Sequence, residues 1–272
     1  MALLQSKRLG VIGAGAMGGA LCRGIISSGT CLAKNTLVCE LNGELREQIA
    51  RELGVNITDS CIETVLHSDV ILLAVKPHIV PHTLKDIGGL LKPEQLLISI
   101  AAGIPLSTYE ASINEKTPVI RAMPNTPALV RCGATAFCPG SYASDEHLSI
   151  AREIFSAVGI AVLVEERMMN AVTGLSGSGP AYVYLIIEAL TAGGVLSGIP
   201  RDLAHQLAAQ TVLGSAKMAL DTGIHPAILK DQVTTPAGTT IAGLAELERN
   251  GVRAAFIDAV QAAAQRSEEL GK

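Results

Sequence analysis

The stretch that decides the fold is "GVIGAGAMGGAL", Gly10 to Leu21. The apolar residues before Gly13 read as a strand, and the residues after Gly15 carry a helical pattern. Between them Gly13, Gly15 and Gly18 keep the spacing GxGxxG. In a strand–loop–helix unit each glycine has its own task. Gly13 permits the tight turn, Gly15 lets backbone approach a pyrophosphate, and Gly18 lets the helix pack on the strand. The helix N-terminus then offers free N–H groups and a positive dipole end to the phosphates. Glycines also mark ordinary turns, so the surrounding chain has to decide.

Working outward, "RLGVIG", "TLVCE", "DVILLAV", "QLLISI" and "PVIRAM" read as buried strands. "AMGGALCRGIISSG" and "NGELREQIARELG" read as helices, the second ending at Gly54. "ATAFCPG", the helix "SDEHLSIAREIFSAVG" and the strand "IAVLVEE" continue the alternation. Such a pattern implies an α/β chain with a parallel, doubly wound sheet of Rossmann type. After about Glu166 only helical periodicity remains, broken at Gly179-Pro180, Ile199-Pro200, His225-Pro226 and Pro236. The expected division is a dinucleotide-binding domain over residues 1–165 and an all-helical domain over 166–272. Small residues throughout "EALTAGGVLSG" and "DAVQAAAQ" suit closely packed helices. A helical unit without a large aromatic core needs more surface to bury, so an obligate dimer is expected.

Composition narrows the function. The chain has 272 residues, 49% of them apolar, with no Trp and a net charge of −4. Without a basic excess, nucleic acid is not an expected partner. The six cysteines form no CxxC pair, and most lie in apolar segments. They read as free thiols in a reducing cytoplasm rather than a disulfide framework. "MALLQSKRLG" is too short and too polar for a signal peptide. The membrane-like segment Ala181 to Ile199 carries Glu188 and three glycines, and reads as a helix buried on all sides, not a membrane span.

Ligands of open α/β sheets sit beyond the carboxyl ends of the strands. Glu40 ends the second strand about 25 residues past Gly15, where such folds read the ribose. A carboxylate there accepts from a 2′-hydroxyl and repels a 2′-phosphate, which favours NADH over NADPH. A solvated strand-end Glu is the plainer alternative, and Asn42 or Arg46 offers a phosphate partner instead. "AVKP" places Lys76 and Pro77 beyond the next strand, and "SIAAGIP" places Ala101, Ala102 and Gly103 beyond another. The small residues leave room for a nicotinamide ring. His78 and His82 have metal-like spacing, but no third ligand is evident and Pro81 interrupts them. There is no GxSxG elbow and no Walker loop.

Three further motifs complete the set: "RAMPNTPALV" (Arg121–Val130), "LSGSGPAYVY" (Leu175–Tyr184) and "DQVTTPAGTT" (Asp231–Thr240). Together with "GAGAMG" and "AVKP", in this order, they resemble the pyrroline-5-carboxylate reductase family over the whole chain. That resemblance implies reduction of 1-pyrroline-5-carboxylate to L-proline with NADPH or NADH, the last step of proline synthesis. It implies a Rossmann domain, and a helical domain that interlocks with a second subunit. The assembly would be a dimer, or a decamer of five dimers, with each active site built from two subunits. Cofactor contacts are implied at Gly13, Gly15, Ala16, Met17 and Gly18, and at Glu40. Further contacts are implied at Ala74, Val75, Lys76, Pro77, Ala101, Ala102, Gly103 and Asn125. Substrate contacts are implied at Ser178, Thr235, Gly238, Thr239 and Thr240, with Thr240 near the imine nitrogen as the catalytic group.

The threonine-rich loop then has a use. A small substrate with one carboxylate can be held by N–H groups at a helix N-terminus, aided by hydroxyls. Pro236 and Gly238 shape that turn, and a helix is expected from about Thr239. A plain N-cap would need one Thr and leave the others unexplained. No His or carboxylate stands out as a general acid. Two departures from the family pattern bear on the contacts: Cys61 stands where Asn is frequent near the adenosine, and Thr234, Thr235 and Ala237 replace the usual serines or glycines. Rival readings are a β-hydroxyacid dehydrogenase, whose lysine–asparagine pair is missing, and a non-catalytic dinucleotide-binding regulator, which has no need of the loop.

Overall fold

The computed structural model describes residues 3–114 and 116–271. β1 (Leu9–Ile12), α1 (Ala16–Ser27), β2 (Thr36–Cys39), α2 (Gly43–Leu53), β3 (Asn56–Thr58) and α3 (Cys61–Leu66) open the chain. β4 (Val70–Leu73), α4 (Val80–Ile87), β5 (Leu96–Ser99), α5 (Leu106–Ser112) and β6 (Val119–Met123) follow. β7 (Gly133–Pro139), α6 (Asp145–Ser156) and β8 (Gly159–Leu163) complete an eight-stranded sheet in the order 3-2-1-4-5-6-7-8. The order reverses direction between β1 and β4, the topological switch point at which open sheets take their ligands.

One pairing departs from the parallel expectation. β7 runs antiparallel to β6, with Arg121 opposite Cys138, while β8 is parallel to β7. The chain between β6 and β7 holds only a 3-10 turn, Thr126–Val130. A parallel return needs a crossover of about a dozen residues or more, so the short link forces a hairpin-like reversal. α6 provides such a crossover from β7 to β8. β3 escaped sequence reading because three residues give no usable periodicity.

Alternate residues of each strand feed two cores. Val70 and Leu72 join Leu21, Ile25, Ile150 and Ile154 on the face covered by α1 and α6. Ile71 and Leu73 join Val65, Val80, Leu84 and Tyr109 on the face covered by α3, α4 and α5. Continuous apolar strands arise because both faces are covered. Local signals also hold: Asn42 caps α2 by accepting from the Leu45 N–H at 3.1 Å, and Gly54 ends it in the left-handed region at φ 66°.

The remainder is helical: α7 (Met169–Val172), a π-turn (Thr173–Gly177), α8 (Gly179–Leu196), α9 (Arg201–Thr222), α10 (Pro226–Gln232), α11 (Thr239–Arg249) and α12 (Val252–Leu270). Compact packing divides the chain into residues 1–178 with 262–272, and residues 179–261. Within the first unit the end of α12 is tied down, because Ser267 Oγ donates to Asn170 Oδ1 at 2.9 Å. Within the second, α8 packs along α9, and the Tyr182 hydroxyl donates to the Ala259 carbonyl at 3.3 Å.

The expectation that Ala181 to Ile199 lies buried on all sides does not hold within one chain. Thr191 is the one buried residue of α8, whereas Tyr184, Leu185 and Leu196 are 60%, 63% and 91% exposed. The run Glu166–Leu196 is long and apolar enough to cross a membrane by length and composition alone. The physical reason is the layer count: a few helices without a sheet leave an all-round apolar helix uncovered.

Candidate active site

The glycine loop follows from close approach. Gly13 lies at φ 96°, and a Cβ there would stand 2.8 Å from the Ala74 carbonyl oxygen. A Cβ on Gly18 would overlap the Gly13 carbonyl oxygen, so α1 sits directly on the turn. Gly15 differs: a Cβ there would meet nothing within 4 Å. Its backbone faces open space at the start of α1, whose first turn has no side-chain cap. Three glycines thus divide into two that let the chain pack and one that keeps a surface bare.

That surface opens into a cavity of about 570 Å³, within the range of small-molecule sites. Gly13, Gly15, Glu40, Ala74, Val75 and Lys76 line it together. Glu40 is fixed from two sides: Oε2 accepts from the Ala14 N–H at 2.8 Å and Oε1 from the Asn42 N–H at 3.0 Å. Arg46, the alternative phosphate partner, donates to the Glu40 carbonyl at 2.9 Å and faces Asp59 at 3.4 Å. The cavity takes in Cys61, expected near the adenosine, and also Asp59, Ser60, Thr83 and Asp86, which the sequence did not assign to the cofactor. Asp59 and Ser60 follow the short strand β3, and its invisibility in the sequence hid them.

Cys39 and Cys61 meet in the same wall with sulfurs 3.5 Å apart. The hydrogen bond between them, followed by burial, raises the Cys39 thiol, while that bond holds Cys61 below the ordinary thiol value. His82, whose side chain is 79% exposed, also lines the cavity and faces Asp86 at 3.8 Å.

The other candidate residues lie nearby in sequence order but outside this cavity. Ala16 opens α1, and Met17 packs on the core beneath it. Pro77 starts the 3-10 turn Pro77–Ile79. Ala101 is buried, Ala102 follows it, and Gly103, at φ 78°, lies against Leu270. Asn125 bridges two segments: its Nδ2 donates to the Ser176 carbonyl at 3.0 Å and its Oδ1 accepts from the Ala134 N–H at 2.9 Å. Ser178 closes the π-turn by donating its N–H to the Thr173 carbonyl at 2.8 Å. Asn125 and Ser178 are thereby brought to one segment, of a geometry that recurs at functional sites.

In the second unit, α11 begins at Thr239 with Gly238 as its N-cap and no side-chain cap. The first-turn N–H groups therefore have no partner within the helix. Thr234 turns away, since its hydroxyl donates to the Lys230 carbonyl at 2.7 Å. Thr235 instead covers Gly238, where any Cβ would overlap its hydroxyl. Ala237 adopts φ 54°, a left-handed conformation rare for a residue with a side chain. The loop gathers Thr235, Gly238, Thr239 and Thr240 around an uncapped helix start, the arrangement that suits a carboxylate.

Comparison with known proteins agrees with both units. Residues 166–270 match the family model described as pyrroline-5-carboxylate reductase dimerisation, and residues 8–103 match NADP oxidoreductase coenzyme F420-dependent. The pyrroline-5-carboxylate reductase of Methanosarcina acetivorans is 49% identical over 269 residues, covering 99% of this chain and 100% of the relative. This chain belongs to the pyrroline-5-carboxylate reductase family. The solved pyrroline-5-carboxylate reductase of Coxiella burnetii superposes with a TM-score of 0.93 at 34% identity, covering 98% of this chain and 99% of that one. Plasmodium falciparum pyrroline carboxylate reductase, solved with NADP bound, gives a TM-score of 0.89 at 32% identity over 99% and 100% of the two chains. The dimerisation model of the pyrroline-5-carboxylate reductases spans the helices left exposed in the single chain, α8 among them. With this dimerisation domain, the protein is a homo-oligomer.

Proposed function

We propose that this protein reduces 1-pyrroline-5-carboxylate to L-proline with NADPH or NADH, the last step of proline biosynthesis. One observation carries the reading: a single chain combines the bare Gly15 surface with the uncapped, threonine-rich start of α11. The bound dinucleotide supplies a hydride for the imine carbon of the substrate. The protein's own work is to bind, orient and stabilise. Gly13, Gly15 and Gly18 keep the loop low enough for a pyrophosphate, and Glu40 presents a fixed carboxylate to the ribose. Lys76, with Ala74 and Val75, forms the wall nearest the strand ends. Asn125 positions the turn that ends at Ser178.

The helix start at Gly238, Thr239 and Thr240 takes the substrate carboxylate, with the Thr235 hydroxyl beside it. The Thr240 hydroxyl lies near the ring nitrogen, donating to the free imine and accepting from its N–H once it is protonated. A protonated imine is already an electrophile, so positioning supplies much of the rate without a strong side-chain acid. The exposed apolar helices support a dimer, and the family resemblance implies sites shared between its subunits, in a dimer or a decamer of five dimers. Cysteine usage supports a cytoplasmic protein, the net charge one without nucleic acid partners, and Glu188 with three glycines inside the apolar segment one without a membrane span.

The test is direct. Purified protein is mixed with pyrroline-5-carboxylate and NADH or NADPH, and loss of reduced-cofactor absorbance is followed. Proline formed in equal amount supports the proposal. Cofactor binding without turnover points to a regulator, and oxidation of a β-hydroxyacid in place of imine reduction points to the rival dehydrogenase.

A further inference from the structure

Cys39 is the last residue of β2 and Cys61 the first of α3, and the two sulfurs meet in the cavity wall. Neither thiol has a part in hydride transfer. Cys22, Cys31 and Cys138 are buried away from the cavity, and the exposed Cys132 does not line it. Cys39 directly precedes Glu40, whose carboxylate holds the Ala14 N–H. Cys61 directly follows Asp59 and Ser60, which line the same cavity. A disulfide needs the sulfurs about 2.05 Å apart, against 3.5 Å here. Closing that gap draws the β2 end and the turn before α3 toward each other, across the part of the cavity that faces the ribose.

We infer that Cys39 and Cys61 are a reversible dithiol–disulfide site whose oxidation opposes cofactor binding. The inference rests on assigning this cavity to the dinucleotide. With hydrogen peroxide as oxidant, Cys61 is the nucleophile, being the more exposed of the two. Its hydrogen bond from Cys39 favours the thiolate, the reactive form. The Cys61 sulfur attacks one peroxide oxygen, the O–O bond breaks, and the departing hydroxide takes a proton to leave as water. Cys61 is then a sulfenic acid. The Cys39 sulfur attacks that sulfur, the S–O bond breaks, and hydroxide leaves with the Cys39 proton as a second water. Two thiols and one peroxide give one disulfide and two waters, and a dithiol reductant reverses the change by exchange. Linkage makes the effect reciprocal: if oxidation weakens the cofactor, bound cofactor protects the thiols by the same factor.

The experiment uses the full-length protein with Cys132→Ser, which removes the exposed thiol. Samples are treated with hydrogen peroxide or with dithiothreitol, freed of reagent, and titrated with NADH and NADPH by fluorescence. Their peptides are mapped without reduction by mass spectrometry. The expected result is a Cys39–Cys61 bridged peptide and about tenfold weaker binding that dithiothreitol restores. Saturating NAD⁺ or NADP⁺ slows the bridging. A Cys61→Ser variant shows no peroxide effect relative to its own reduced form. Absence of the bridge in a protein that binds cofactor when reduced overturns the inference, as does a bridged form that binds equally well. A reduced protein that binds neither dinucleotide overturns the cavity assignment, and the inference with it.

Discussion

Glu40 Oε2 accepts a hydrogen bond from the Ala14 N–H at 2.8 Å, tying the end of β2 to the middle of the glycine loop. The carboxylate is therefore fixed before any ligand arrives, and each oxygen keeps lone pairs for a ribose hydroxyl. A 2′-phosphate there would meet like charge, with Asp59 and Asp86 lining the same cavity. NADH should be used with the higher kcat/KM. Glu40→Gln should narrow the preference by about tenfold, the scale of one hydrogen bond to a charged group. A strong NADPH preference that persists in Glu40→Ala would show that the carboxylate does not select the cofactor.

Gly15 and Gly18 should respond oppositely to substitution. Gly15→Val places its side chain in open space, so thermal stability should change by less than about 1 kcal/mol. Binding of both dinucleotides should fall by more than about tenfold, because the pyrophosphate needs that space. Gly18→Ala should instead lower the melting temperature, since its Cβ overlaps the Gly13 carbonyl. Calorimetry and cofactor titration of both variants check the contrast.

Thr240→Ala should lose about 1–3 kcal/mol of transition-state binding, read as about a ten- to hundredfold or slightly larger fall in kcat/KM. Thr240→Val keeps the shape without the hydroxyl and should behave like Ala. Cofactor affinity should be unchanged in both. A Val variant with wild-type kinetics would remove the hydroxyl from the mechanism.

Mixed dimers should separate a shared site from a private one. A Gly15→Val subunit paired with a Thr240→Ala subunit contains one intact pair of loop and cavity if sites cross the subunit boundary. Two impaired proteins should then gain activity on mixing, beyond the sum of the two alone. No recovery despite demonstrated subunit exchange would mean that each chain uses its own loop.

Ala237 holds φ 54° in the loop before α11. A left-handed alanine costs about 1 kcal/mol, partly offset by the lower chain entropy of glycine's replacement. Ala237→Gly should thus be neutral or stabilising by up to about 1 kcal/mol, and Ala237→Val clearly destabilising. Denaturant unfolding of the two variants tests this, and a stable Val variant would mean that the loop relaxes freely.

The longer strands and helices were legible because both halves of the physics agree there: glycine spacing and apolar runs point to the same turns. The antiparallel β7 was not, since strand direction depends on the length of the link from Met123 to Gly133 rather than on the strand's own residues. Asp59 and Ser60 were missed for a related reason: β3 is three residues long, too short to carry a period. Glu40 was legible as a strand-end acid, but its bond to Ala14 is a tertiary fact that spacing does not contain. The burial of α8 failed because a sequence reports how apolar a helix is, not whose atoms cover it.

The uncovered face of α8 gives the stability of this protein a dependence on copy number. A chain that leaves Leu185 and Leu196 in water gains their burial only by association, so by mass action its melting point should climb with concentration. A newly made subunit without a mate is then the vulnerable species, open to chaperones and proteases until a second copy is synthesised. The fraction of chains that stay folded should therefore rise with expression level.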